Sequence, residues 1–260
     1  MIQIEPFATA VLDAMVLYRN VLSEGTLAWS SQTTDGAAAN ALGPQTYDFW
    51  TPASLPATLS VTLPGAVACD CAAIVAHTMG TVGATAHIEY HDGSSWVTVA
   101  SVAPADDSDI LVLFGEVVAA QWRFRITGTD EPSIGVAMIG PRLLIPNGVQ
   151  PDYTPINLSL NVELMPSVSV AGQFLGTRVQ RQGAGTSINF APQDRWWIET
   201  EAVGFIAHFN SGLPFIWASC PDELRDDMAY CWRAGGVLSA SYGAGALYGS
   251  MSMDVSAYVP

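Results

Sequence analysis

His87 and His91 are separated by three residues, a spacing that on a helix would suit a zinc site. Their surroundings argue otherwise. Ile88-Glu89-Tyr90 and the Asp92-Gly93 turn read as a strand entering a hairpin, which places the two imidazoles on one face but about 13 Å apart. His77 and His208 lie in apolar stretches and read as hydrogen-bonded core or interface residues. Asp106, Asp107 and Asp109 offer oxygen ligands, but without the glycine and closing glutamate of a calcium loop they read as a solvated turn. No metal site is expected. Gly183-Ala-Gly185 and Gly243-Ala-Gly245 lack the Gly-Lys-Ser/Thr of a phosphate loop, and the chain holds no lysine to supply it. No Gly-x-Ser-x-Gly elbow and no Ser, His and Asp set stands out. Asp226 and Asp227 are adjacent and point in different directions. The chain reads as non-enzymatic and in need of no cofactor. Aromatic rings are the remaining candidates. Tyr47, Phe49 and Trp50 precede Thr51-Pro52, and exposed rings at such a loop stack on sugars; the competing reading is that Trp50 plugs the end of a sandwich.

Bulk properties narrow the classes further. The 260 residues are half apolar and 13% charged, with a formal charge of -15. Such a chain is a poor ligand for nucleic acid, whose phosphates demand a basic surface. The low charge density suggests a surface partly covered by neighbouring subunits. Cys69 and Cys71 flank a single residue and read as buried thiols. Cys220 and Cys231 are left open between pairing and staying free, and a reducing site of synthesis fits best. The N-terminus offers no basic region before its apolar stretch, and Ala234–Met253, though uncharged, is rich in Gly, Ser and Ala. It reads as strands and turns, so no membrane insertion is expected.

The elements that must position these residues are mostly strands. Residues 1–25 form a leader, either a short helix on Ala8, Val11, Leu12, Met15 and Val16 or an arm on a neighbour. From about 26 to 146, short alternating segments such as Leu59/Val61/Leu63 and Trp122/Phe124/Ile126 alternate with turns, which implies a sandwich. The second segment buries one face and leaves Arg123 and Arg125 on the other. Residues 147–155, rich in proline, read as a linker open to proteolysis. Residues 156–260 are again β-rich. Pro221–Arg233 reads as one short helix, and Met251, Met253, Val255 and Ala257 alternate along a last strand.

Two resemblances sharpen this picture. Trp29-Ser30-Ser31, Thr34-Asp35-Gly36, Asp48-Phe49-Trp50, Pro56 to Val61, Ile88-Glu89-Tyr90 with Ser95-Trp96-Val97, Trp122 to Ile126, and Ile134-Gly135 to Gly140-Pro141-Arg142-Leu143 follow in the order of a galactose-binding-like, discoidin-type jelly roll. Residues 26–146 resemble that family, which implies an eight-stranded sandwich that commonly binds sugars, lipids or proteins through its end loops. Ser169 to Gly176, Trp196-Trp197, Phe205 to Phe209, Leu213 to Trp217, Tyr230-Cys231-Trp232 and Ser252 to Val259 give residues 156–260 the look of siphophage tail-tip proteins of the distal-tail and baseplate kind.

The expected fold is therefore all-β, a jelly-roll sandwich followed by a second β-rich barrel or sandwich. The resemblance implies a virion structural protein of the tail tip, made in the host bacterial cytoplasm and contacting other tail proteins. Tail architecture in that family implies a ring, six copies in preference to three. Its contacts are expected along the last strand and the hairpin before it, through Tyr242, Tyr248, Met251, Met253, Val255 and Tyr258. A host-surface glycan is a further expected partner, at Tyr47, Phe49 or Trp50. The rival reading is a free carbohydrate-binding module or adhesin, and a hydrolase with an accessory lectin domain ranks below both.

Overall fold

The first 25 residues, expected as an arm or a short helix, hold two strands that join different sheets. A computed structural model describes residues 1–243 and 245–260, with Arg181 described by its backbone alone. Strand β1 (Ile2–Ile4) runs parallel to Leu111–Leu113. Strand β2 (Ala14–Leu17) pairs antiparallel with Leu143–Ile145 on one side and Ile216–Ala218 on the other. All four of its residues are buried. Ala14 and Val16 enter one hydrophobic core, and Met15 and Leu17 enter another. A strand between two cores satisfies four consecutive apolar residues, because its side chains point alternately to either face. A surface helix would have left some of them wet.

The jelly roll follows. Its strands are β3 (Thr26–Trp29), β4 (Ala57–His77), β5 (Thr85–His91), β6 (Trp96–Val102), β7 (Ile110–Thr127) and β8 (Ile134–Gly140), with one turn of helix, α1 (Met79–Val82), after β4. The two long strands serve both faces of the sandwich. The first half of β4 and the second half of β7 lie in a face ordered β3-β4-β7-β5-β6. Their other halves pair with each other and with β8 and β1 in the opposing face. The β4–β7 register breaks between Thr62 and Val67, where Pro64 has no N–H to give, and again beside Gly115. Trp50, Trp122, Phe114, Phe124, Ile74 and Ile126 fill the space between the faces.

The second unit begins with β9 (Leu143–Ile145), the partner of β2. It continues through β10 (Leu160–Val168), β11 (Phe174–Asn189), β12 (Gln193–Asp194), α2 (Arg195–Thr200), α3 (Val203–Asn210), β13 (Phe215–Ala218), β14 (Met228–Gly235), β15 (Ser241–Tyr242), β16 (Tyr248–Ser250) and β17 (Ser252–Ala257). The main sheet has the order β10-β11-β17-β14-β13-β2-β9, and a small sheet has the order β12-β16-β15. Phe190 stacks on Trp217, and Phe205 of α3 packs edge to face on Phe209 of the same helix and on Phe215 of β13.

Two local expectations change. Pro221–Arg233 is a turn followed by β14, not a helix. Met228 and Tyr230 face one core while Ala229 and Cys231 face another, an alternation only a strand provides. The preceding turn is pinned by the buried Asp227 carboxylate, which accepts from the Tyr153 hydroxyl (2.9 Å), the Ile156 amide (2.8 Å) and the Ser219 hydroxyl. The helices lie earlier in the chain. Asp194 caps α2 by accepting the Trp196 amide at 2.7 Å. Trp196-Trp197 is thus helical, with Trp197 buried and Trp196 exposed.

Residues 147–155 are held against the second unit along much of their length. The Gln150 amide donates to Asn189 O, its side chain donates to Phe190 O, and Asn147 donates to Pro192 O. The two units also share a core. Met15, Leu17, Ile216, Ala218 and Tyr230 pack with Cys71, Ala73, Val75, Leu111, Leu113, Val136 and Met138.

Candidate functional site

Strands β10 and β11 extend well beyond the sheet they belong to. They pair from Leu160↔Ala184 to Val168↔Phe174, while β17 accompanies β11 only from Ala184 to Asn189. The remaining ladder is a two-stranded arm about 30 Å long, at some 3.4 Å per residue. Its tip is a tight turn, with Gly172 at φ +79°, closed by the Ser169 amide donating to Gln173 O. Every residue of β10 is exposed. Leu160, Val162, Leu164, Met165, Val168, Phe174, Leu175 and Val179 are therefore apolar side chains in water. An isolated hairpin is marginally stable in water, and a contiguous apolar surface of this kind marks a contact surface. The outer edge of β10 bears one charge, Glu163, and one proline, Pro166. Edges that stay unpaired are normally blunted more heavily.

Two clefts flank the base of this arm. One, of about 550 Å³, is lined by Asp106, Asp109, Leu160, Asp226, Met228 and Tyr258 among others. Burial pushes the Asp109 carboxyl up to about 6, although the Ala76 amide donates to it at 3.1 Å. The other cleft, of about 710 Å³, holds Asn161, Glu163, Gln182, Trp232 and Tyr258. Charge is distributed unevenly between arm and body. Residues 158–183 carry two arginines and one glutamate, a net of +1, so the remainder of a chain of charge -15 carries -16.

The expected contact residues fall differently. Met251, Met253 and Val255 point into the second core, and β17 is flanked by β11 and β14 along its length, so the last strand is no edge. The alternation was that of a central strand with one buried face, which an edge strand shares; only the pairing distinguishes them. Tyr258 is half-buried and lines both clefts. Tyr242 and Tyr248 are exposed on the small sheet. The Gly243–Gly245 loop includes Ala244, which lies outside the described residues.

At the expected sugar site, Trp50 is 0% exposed and its indole N–H donates to Ser31 O at 3.2 Å. Its ring faces are covered by the core, so it cannot stack on a sugar. Phe49 packs between the units, which leaves Tyr47 as the exposed ring, at 73%.

The titratable candidates are satisfied within the fold. His77 bonds to Ser108 O and accepts from the Met79 amide, and His208 bonds to Pro214 O. Burial pushes both imidazoles below their usual range. Asp107 accepts from the Thr81 amide and hydroxyl. All four cysteines are free, and burial drives the Cys69 thiol up to about 12 and raises Cys71 and Cys231 well above the usual thiol range. Among the described residues no group of three His, Cys, Asp or Glu is placed to hold a metal, and no helix is long and apolar enough to cross a membrane.

No family model and no curated protein matches the chain. Solved structures similar to it include a family 32 carbohydrate-binding module of C. perfringens in complex with galactose, at 20% identity over 48% of this chain and 98% of that one, TM-score 0.39. Chitosan-binding module 1 of a Paenibacillus sp. IK-5 chitosanase/glucanase is 18% identical over 46% of this chain and 98% of that one, TM-score 0.38. A structure described as an alpha-L-fucosidase of Bacteroides thetaiotaomicron is 20% identical over 47% of this chain, TM-score 0.41, and the match spans 28% of its length.

Proposed function

We propose that the chain is a structural component of a phage tail tip, which joins copies of itself through the β10–β11 arm and carries the jelly roll outward. The observation that carries this reading is the arm, whose apolar side chains have no cover within the chain. The neighbour's cleft at Asp109 suits it in kind: apolar walls meet the arm's Leu and Val side chains, and acidic groups meet its net positive charge. The tip of one arm is about 30 Å from its own base and so reaches another copy's cleft, not its own; such a head-to-tail contact forms a ring where its rotation closes, and the ring rests on the tail-tip resemblance. The tail-tip role itself rests on the sequence resemblance of residues 156–260, with other tail proteins as neighbours above and below.

Light scattering and electron microscopy of the full chain test this reading. The expected result is a closed ring, with a monomer when residues 164–177 are replaced by a two-residue turn. Equal monomeric masses for both chains would overturn it. The second reading, a free carbohydrate-binding protein, is favoured by the polar outer face of the jelly roll; it predicts unaltered ligand binding and mass on shortening the arm.

A further inference from the structure

Arg123 and Arg125 lie two residues apart on β7 and so project from the same face of the five-stranded sheet. Across the ladders Arg123 is opposite Glu89 and Ser60, and Arg125 is opposite His87 and Thr58. Glu89 is buried and serves both cations at once. Its Oε2 accepts Arg123 Nε at 2.6 Å, and its Oε1 accepts Arg125 Nε at 2.9 Å and the Thr98 hydroxyl at 3.0 Å. Burial alone would raise this carboxyl, but the three donors outweigh it and hold it below the usual range, so it stays ionised.

Each arginine thus spends its Nε, while among the described residues the terminal Nη atoms of neither make a hydrogen bond. The two side chains are 19% and 31% exposed. The Arg123 guanidinium lies 4.0 Å from the centre of the Trp96 ring, which fixes its plane. Two half-buried cations on one carboxylate leave a local charge of +1 in a chain of charge -15. A structural ion pair requires one arginine; the second adds like-charge repulsion that an incoming anion would relieve.

The surroundings define the kind of anion. Hydroxyls of Thr58, Ser60, Thr98, Ser101 and Thr127 share this face, and His87 ties two of them together, bonding Ser101 Oγ at 2.7 Å and Thr127 Oγ1 at 3.0 Å. The arginines stand over β7, which with β4 and β5 is paired on both sides, so an extended peptide could add only at the outer strands β3 and β6 and not beneath the guanidinium groups. A polyhydroxylated ligand carrying a planar carboxylate matches both the hydroxyl rows and the forked Nη donors.

We propose that the outer face of the β3-β4-β7-β5-β6 sheet binds acidic saccharides, holding a uronate carboxylate between Arg123 and Arg125. The test is calorimetric titration of the full chain with oligogalacturonate, neutral oligogalactose and oligoglutamate, alongside NMR of the Trp96 indole N–H. The expected result is binding of oligogalacturonate alone, with a shift of the Trp96 signal. Arg125→Gln leaves Glu89 paired with Arg123 and should weaken binding at least tenfold with near-UV circular dichroism unchanged. Arg123→Lys keeps the charge but loses the planar fork, and should also weaken it. Three outcomes would each overturn the proposal: no binding of oligogalacturonate, unchanged affinity in a folded Arg125→Gln protein, or equal binding of oligoglutamate, which would mark a peptide-binding or merely cationic patch.

Discussion

Single side chains separate those this fold tolerates from those it needs. Asp109 belongs to the first group. Its ordinary value is 3.8, and burial raises it to about 6 in the folded chain. Below pH 3.8 folded and unfolded states both carry the proton, and ionisation costs the fold nothing. Between 3.8 and 6 the unfolded chain loses the proton first, so stability falls as pH rises, reaching a penalty of about 3 kcal/mol at one pKa unit per 1.36 kcal/mol. Asp109→Asn keeps the acceptor for the Ala76 amide and removes that penalty. Urea unfolding should show the variant gaining over the parent from pH 4 to 6, then by a constant margin up to pH 8. A margin independent of pH would place the cause elsewhere. Trp50 is the opposite case, a ring the core requires. Its burial could not be read locally, because Tyr47, Phe49 and Trp50 are equally aromatic in sequence. Only the packing between the two faces decides which of them is dry.

Among the elements, strands with one buried face were legible and their neighbours were not. The alternations of β4 and β7 predicted the buried residues, and Arg123 and Arg125 fell on the outer face as their spacing required; the alternation of β17 was equally plain, but its Met251, Met253 and Val255 were assigned to a subunit contact and lie in the core. Strands between two cores were missed. Ala14–Leu17 and Met228–Cys231 are apolar without a break, and a continuous apolar run reads as helix or strand with equal ease. The arm was missed for the converse reason. Its Val-Glu-Leu-Met and Phe-Leu-Gly-Thr runs look like core strands, and nothing local reveals that no second layer covers them. Its exposure makes a prediction about cleavage. Residues 147–155 are hydrogen-bonded to the second unit, whereas Phe174 lies in the exposed arm, so chymotrypsin should cut first at Phe174 and leave the bond after Tyr153 intact. Mass spectrometry of early fragments reads this directly. First cuts after Tyr153 or within the jelly roll would contradict it. In an assembled ring the same bond should be protected.

The whole molecule behaves as more than two sandwiches on a string. Strand β2 comes before the jelly roll in sequence yet completes the sheet of the second unit, between β13 and β9. The jelly roll is in that sense inserted between two neighbouring strands of its partner. A third core, drawn from β1, β2, β4, β7, β8, β13 and β14, seals the two together. Domains joined only by a linker unfold separately, but here neither unit can open without exposing Met15, Leu17, Leu111 and Ile216, and β2 must leave the second sheet if the chain before the jelly roll is pulled away. Buried apolar area of that kind is worth roughly 25 cal/mol per Å², so the coupling exceeds what a polar inter-domain contact provides. Scanning calorimetry should accordingly show one transition, with the calorimetric enthalpy equal to the van't Hoff enthalpy. Residues 26–146 expressed alone should be poorly soluble, since they present Cys71, Ala73, Val75, Leu111, Leu113, Val136 and Met138 uncovered. Adding Met15→Asp to the full chain should lower the single transition as a whole. Two resolved transitions in the parent, or a Met15→Asp effect confined to one of them, would show that the shared core does not bind the units into one cooperative body.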